Sequence, residues 1–250
     1  MRHNGNVMLK AIFLDMDETL CATSVADKQA LATLKHYVQS QFPTVDADIF
    51  CQRYIAGIYK QLNDEFPQLV MLLDNELLFR QTLVQTLFSQ QQLTISFEQA
   101  AAIQASFDDG RMAGFDFFPE VKTMLATLRQ YYKLVVITNG PVFSQHPKLI
   151  ATAMAEHVDY IIVGGEEPAE KPALSIFKKA LELVECQPNE VLHMGDSLAA
   201  DIAGANGAGI VSVWVDTGKE SDHEKLSQFP PTYIVTEPQQ LLDVITQHFA

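Results

Sequence analysis

Short apolar runs rich in valine and isoleucine recur along the chain, and they constrain its fold more than any other feature. Leu9 to Leu14, Leu134 to Thr138, Tyr160 to Val163, Val191 to Met194 and Ile210 to Val215 show none of the polar alternation of a half-exposed strand. Continuous runs of this kind suit strands buried on both faces of a parallel sheet. Tyr233-Ile234-Val235 reads as a further edge strand. Helical patterns lie between the runs. Pro119 to Gln130 places Val121, Leu125 and Leu128 at helical spacing behind a proline suited to a first turn. Leu174 to Val184 repeats Ile176, Phe177, Ala180, Leu181 and Val184. Strands alternating with helices predict an α/β fold built on an open parallel sheet.

One interval breaks the alternation. From Cys21 to Met112 the periodicity is helical throughout, with Leu31, Leu34 and Val38, then Ile55, Ile58, Tyr59 and Leu62, then Leu77, Val84, Leu87 and Phe88 forming successive stripes. Ser96-Phe97-Glu98-Gln99 reads as a capping box opening a fourth helix. Gly110 and Gly114 read as the return to the sheet. Residues 1–20 and 113–250 are therefore expected to form the core, and 21–112 an all-helical insertion.

At 250 residues, with 48% apolar and 19% charged residues, the chain can bury a substantial core and has the balance of a soluble globular protein. No window reaches the roughly 18–20 apolar residues of a membrane span. Met1 to Asn6 lacks the apolar centre of an export signal, so the cytoplasm is the expected compartment. Three dispersed cysteines, Cys21, Cys51 and Cys186, argue against a disulfide framework or a CxxC zinc site. Cys21 follows Asp17 by four positions, but a free cysteine ordinarily behaves as a small buried hydrophobe. The formal charge of −14 repels nucleic acid and anionic membranes alike. It also repels an anionic substrate, so binding one requires a local cation.

Function in open parallel sheets gathers at the carboxyl ends of the strands. Here those ends carry Asp15 and Asp17, Thr138 and Asn139, and Gly195 and Asp196, while Lys171 follows the third strand at the start of a helix. Two carboxylates two residues apart repel each other, which suits a division into an ionised nucleophile and a protonated acid. A solvated turn is the plainer reading of the pair. Carboxylates from separate loops, Asp196 among them, are the hard oxygen donors that Mg²⁺ prefers; Asp196 also suits a helix N-cap. Asp201 reads as a salt-bridge partner or a ligand acting through water, with simple exposure as the alternative. Lys171 offers a point charge to a phosphoryl group. Thr138 offers a hydroxyl, and Asn139 and Gly140 offer backbone N–H groups. His193 reads as a hydrogen-bonded core histidine, and Gly204 to Gly209 as a helix C-cap and turn rather than a dinucleotide loop.

Asp15-x-Asp17-x-Thr19, Thr138, Lys171-Pro172 and Gly195-Asp196-x₄-Asp201 together resemble the four motifs of the haloacid dehalogenase superfamily of phosphohydrolases, in order, from Lys10 to Gly218. The resemblance implies a Rossmann-like core, with the helical insertion as a C1-type cap. Val163-Gly164-Gly165-Glu166, Glu170-Lys171-Pro172 and Ser175-Ile176-Phe177 resemble the N-acylneuraminate-9-phosphatase branch and its nucleotidase-like neighbours. Leu174 replaces a usual proline, and Glu18 stands where Asn or Gly is common. The resemblance implies Asp15 as nucleophile and Asp17 as acid/base, with Mg²⁺ held by Asp15, the Asp17 carbonyl and Asp196. Thr138 and Lys171 then stabilise phosphoryl charge, and the substrate is a small phosphate ester. Arg53, Arg80 and Arg111 are cap-region cations that either meet an anionic substrate or form surface salt bridges. A 2-haloacid dehalogenase has no use for Asp17 and Asp196; a phosphomutase differs mainly in excluding water; a non-catalytic binding protein would not need every position filled.

Overall fold

Each apolar run becomes a strand. In the computed structural model, which describes residues 8–218 and 223–249, β1 (Ala11–Leu14) leads into the helices α1 (Thr23–Gln41), α2 (Ala47–Ile58), α3 (Pro67–Val70), α4 (Glu76–Gln90) and α5 (Phe97–Gly114). The alternation follows: α6 (Val121–Leu128), β2 (Lys133–Thr138), α7 (Val142–Ala151), β3 (Tyr160–Val163), α8 (Leu174–Val184) and β4 (Val191–Gly195). Then come α9 (Ala203–Gly207), β5 (Val211–Val215), α10 (His223–Gln228), β6 (Tyr233–Val235) and α11 (Leu241–His248). Met1 to Asn6, read above for an export signal, lies outside the described residues. Among the described residues no helix is long and apolar enough to cross a membrane.

The strands form one parallel sheet in the order β3-β2-β1-β4-β5-β6. The order reverses beside β1, whose neighbours β2 and β4 lead outward in opposite directions, and such a switch point is where parallel sheets hold ligands. Leu14 is in register with Val136 and Met194, so the carboxyl ends of β1, β2 and β4 finish side by side. One sheet face packs Phe13, Val135, Ile137 and Ile162 against Ile176, Phe177 and Ala180 of α8, which explains why both the strands and that helix stripe had to be apolar. Truncating a buried aromatic such as Phe177 to alanine costs about 3–5 kcal/mol.

The chain divides into two compact units, Met1–Thr23 with Phe115–Ala250, and Ser24–Gly114. The second is helical and has its own core, in which Leu34, Phe50, Tyr54, Phe79, Leu83, Phe88 and Phe107 are fully buried. Arg80 donates to Glu76 and Asp108, both at 2.9 Å, Arg111 pairs with Asp27 at 2.6 Å, and Arg53 pairs with Glu65. Arg80 and Arg111 are buried, and so is Asp27, whereas the Asp108 end of the Arg80 pair reaches the surface.

Local readings fared unevenly. Ser96 and Gln99 form the reciprocal capping box, with N–H to side-chain distances of 3.2 and 2.9 Å. Gly110 lies inside α5, whereas Gly114 ends both that helix and the helical unit. A Cβ on Gly110 would sit 3.2 Å from the Ala30 backbone, so that glycine lets α1 and α5 approach closely. The helix expected from Pro119 begins at Val121, because Glu120 has a φ of 65° and a right-handed helix cannot run through it. Gly204 and Gly207 belong to α9, and the turn falls at Gly209, with φ 74°.

Candidate active site

Asp15 is the first residue beyond β1, and its N–H still donates to Met194 O at 2.9 Å, so the sheet itself fixes its backbone. The side chain is buried and accepts a 2.6 Å hydrogen bond from Lys171 Nζ. Lys171 Nζ also donates to Asp201 Oδ1 at 2.7 Å. Burial lowers the affinity of Lys171 for its proton, but the two carboxylates override it and hold the lysine charged, above its ordinary range. Burial pushes the Asp15 carboxyl up to about 7; Lys171 pulls it down, while the charges of Asp201 and Asp17 raise it.

Asp17 is held by a different set. Lys148 Nζ, on α7, donates to both of its oxygens, at 2.9 and 2.7 Å. Thr23 Oγ1 donates to Oδ1 at 2.6 Å and Gln145 Nε2 to Oδ2 at 3.2 Å. Lys148, Gln145 and Thr23 escaped the sequence reading. The readable signal was Gln145 and Lys148 one helical turn apart, just after the strand ending in Thr138.

At the end of β4, Gly195 is obligatory: a Cβ there would lie 2.2 Å from Asp201 Cγ. The backbone carbonyl of Asp196 accepts from Trp214 Nε1 at 2.7 Å. The N-cap expected at Asp196 belongs instead to Ser197, whose Oγ accepts from Ala200 N at 3.2 Å as a π-helical turn, Leu198–Ile202, begins. Asp201 lies in that turn, buried rather than exposed. Its Oδ1 also meets His193 Nε2 at 3.0 Å, and its Oδ2 accepts from Ser197 N at 3.1 Å. Burial opposes ionisation of Asp201, but Lys171 and His193 hold its carboxyl well below the usual range. His193 is fully buried within β4, and burial lowers its pKa. It braces Asp201 instead of facing solvent.

Oxygen atoms of Asp15, Asp196 and Asp201 lie within 4.8 Å of one another. Burial, followed by the charges of Asp15 and Asp201, pushes Asp196 up to about 9. Three carboxylates crowded this closely at a largely buried point fit a hard divalent cation, whose charge offsets their repulsion. Because Lys171, His193 and Ser197 already occupy the Asp201 oxygens, Asp15 and Asp196 are the side-chain donors best placed for it.

Thr138 is buried at the end of β2 and donates to Gln145 Oε1 at 3.4 Å. Asn139 uses its side chain rather than its N–H: Nδ2 donates to Lys171 O at 2.8 Å and Oδ1 accepts from Lys171 N at 2.9 Å. This clasp fixes the backbone from which the Lys171 ammonium projects. The Gly140 N–H, offered above to a phosphoryl oxygen, is taken by Glu170 Oε1 at 2.9 Å. Cys21 is buried, and burial with the nearby Asp17 charge pushes its thiol far above the range of a reactive thiolate. Glu18 has a φ of 59°, in the left-handed region that Asn and Gly tolerate best, which accounts for the residue types common at that position.

The haloacid dehalogenase-like hydrolase family matches residues 9–209. N-acylneuraminate-9-phosphatase of Mus musculus is 28% identical over 240 residues, covering 95% of this chain and 94% of the relative. Glyceraldehyde 3-phosphate phosphatase of Methanopyrus kandleri is 28% identical over 243 residues, covering 96% and 98%. Among solved structures, a magnesium-bound hydrolase of Bacillus subtilis superposes with a TM-score of 0.71 at 21% identity, covering 95% of this chain and 99% of that one. A 2-haloacid dehalogenase of Pseudomonas syringae gives 0.65 at 23%, covering 96% and 99%. Both structures share the fold with this chain, and a shared fold does not choose between their chemistries.

Proposed function

Because the chain belongs to the haloacid dehalogenase-like hydrolase family, we propose that it is a cytoplasmic, magnesium-dependent phosphatase acting on a small phosphorylated metabolite, such as a sugar phosphate, an acylneuraminate 9-phosphate or a nucleotide. One observation carries the reading: a buried Asp15 at the sheet edge is braced by Lys171 at 2.6 Å, with a second acid, Asp17, two residues on. The relatives named above support it, since both are phosphatases of phosphorylated metabolites.

Asp15 attacks phosphorus in line; the bond to the leaving oxygen breaks, and its electron pair stays on that oxygen. Asp17, entering the step protonated, gives that oxygen its proton; as a carboxylate it then takes one from a water whose oxygen bonds to phosphorus as the Asp15–phosphorus bond breaks, which frees Asp15 and restores the protonated Asp17. The Lys171 ammonium and the Thr138 hydroxyl hold the equatorial oxygens. Asp15 and Asp201, the latter braced by His193, keep Lys171 charged and in place, and Asn139 fixes its backbone. Asp15, Asp196 and the Asp17 carbonyl would hold Mg²⁺, which when bound supplies the positive charge that lets an anionic nucleophile meet an anionic ester. The helical insertion would act as the cap that selects the leaving group. A dehalogenase has no role for the carboxylates of Asp17 and Asp196.

The test is phosphate release with Mg²⁺ from an aryl phosphate and from a panel of sugar phosphates, nucleoside monophosphates, glyceraldehyde 3-phosphate and an acylneuraminate 9-phosphate. Release is expected to stop on chelation and return with added Mg²⁺. Halide release from a 2-haloacid, with no phosphate from any ester, would overturn the reading.

A further inference from the structure

We propose that Lys148 is a positioning residue of this reaction: its ammonium orients the Asp17 carboxylate for proton transfer to the leaving oxygen. The inference rests on the phosphatase reading and goes beyond the residues that the four motifs name. Lys148 lies in the second half of α7, with a side chain only 3% exposed. An ammonium at that depth is destabilising by several kcal/mol unless a partner compensates it, so it is not surface filler. Its ammonium lies over the Phe115 ring, 5.6 Å from Nζ to the centroid, and sits astride the Asp17 carboxylate.

The geometry is specific to orientation. A carboxylate held at one oxygen is free to swing about its terminal torsion, whereas one gripped at both oxygens by a single charged donor turns only if that donor moves. Gln145, one turn earlier on the same helix face, adds a bond to Asp17 Oδ2 and ties the arrangement to the strand end. Its Nε2 donates to Asn139 O at 2.8 Å and its Oε1 accepts from Thr138. One face of α7 thereby sets the acid/base relative to the Thr138 hydroxyl, while Lys171 independently sets the nucleophile. Proton transfer is sensitive to such placement: an error of about 1 Å costs on the order of 10²-fold in rate.

Lys148→Met removes the charge and keeps the stem. The readout is the single-turnover rate of leaving-group release with Mg²⁺, so the later hydrolysis step does not enter. An alkyl phosphate, whose alkoxide must be protonated as it leaves, should slow by about 100-fold. A dinitrophenyl phosphate, whose phenolate leaves unprotonated, should slow by less than about 5-fold, because the acid contributes little there. Equal losses on both esters would mark Lys148 as merely structural and overturn the proposal, as would no loss on either. If Lys148→Met does not fold, Lys148→Arg keeps the charge and displaces it; the same contrast is then required in smaller measure, and equal losses overturn the proposal there too. A wild-type protein that hydrolyses neither ester removes the phosphatase reading and this inference with it. A wild type that hydrolyses both, with equally impaired variants, removes the inference alone.

Discussion

The two units of the chain both bury cations, but of different kinds and to different ends. The helical unit buries arginines. Arg80 spreads its guanidinium between Glu76 and Asp108, and Arg111 meets Asp27 and donates to the Tyr59 hydroxyl at 3.2 Å. A planar fork satisfied by carboxylates of its own unit locks helices together. The sheet unit buries lysines, Lys171 between Asp15 and Asp201 and Lys148 on Asp17. A compact point charge on a flexible stem is suited to following charge that moves. The contrast teaches that buried cations can tie helices together in one unit and, in the proposed reaction, hold carboxylates for chemistry in the other.

The largest expected effect belongs to the group that Lys171 serves. Asp15→Asn should lower turnover by at least about 10⁴-fold, since an amide is a poor nucleophile; phosphate release near the wild-type rate would end the argument for the lysines. Next comes a direct contrast. Lys171→Met should slow turnover by about 10²–10³-fold. Arg111→Met leaves Asp27 buried without its charge partner and should lower stability by about 3 kcal/mol, while the folded fraction turns over at close to the wild-type rate. Calorimetry and kinetics on both variants decide it: an inactive but stable Arg111→Met would erase the distinction between the units.

The smallest effect sharpens the electrostatics. Folded Asp15 and Asp196 are raised to about 7 and 9 from an unfolded value of 3.8, so in metal-free protein the folded state binds more protons than the unfolded state between roughly pH 4 and 9. Stability then falls as pH rises through that window. The thermal midpoint of chelated protein should fall from pH 6 to pH 9, and Mg²⁺ should flatten the slope. A midpoint equally pH-dependent with and without Mg²⁺ would separate the cluster from the metal.

Much of the sheet was legible because its largely buried strands are almost wholly apolar, with His193 and Ser212 as buried exceptions, and Tyr160–Val163 and Tyr233–Val235 begin and end where their apolar runs do. The placement of Asp15, Thr138 and Asp196 was legible because each polar side chain stands where an apolar strand ends. Lys148 was not, because a lysine in a helix looks the same in sequence whether it faces water or a carboxylate more than a hundred positions away. Ser197 displaced Asp196 as the cap because both residue types cap well and only the backbone decides between them. Glu120 and Glu18 hid their left-handed conformations for a related reason, since nothing in a glutamate announces a positive φ.

The position of the helical insertion has a consequence for how the molecule comes into being. β1 pairs with β2 and β4, roughly 120 and 180 residues later in the chain, whereas Ser24–Gly114 has a core of its own between them. Contacts close in sequence form fastest, and domains fold as units during synthesis. The helical unit can therefore be complete while β1 still waits for its partners, and compacting that unit shortens the loop that β1 and β2 must close. Asp15 meets Lys171 and Asp196 only when nearly the whole chain has emerged, so a growing polypeptide carries the carboxylate long before the cluster around it exists.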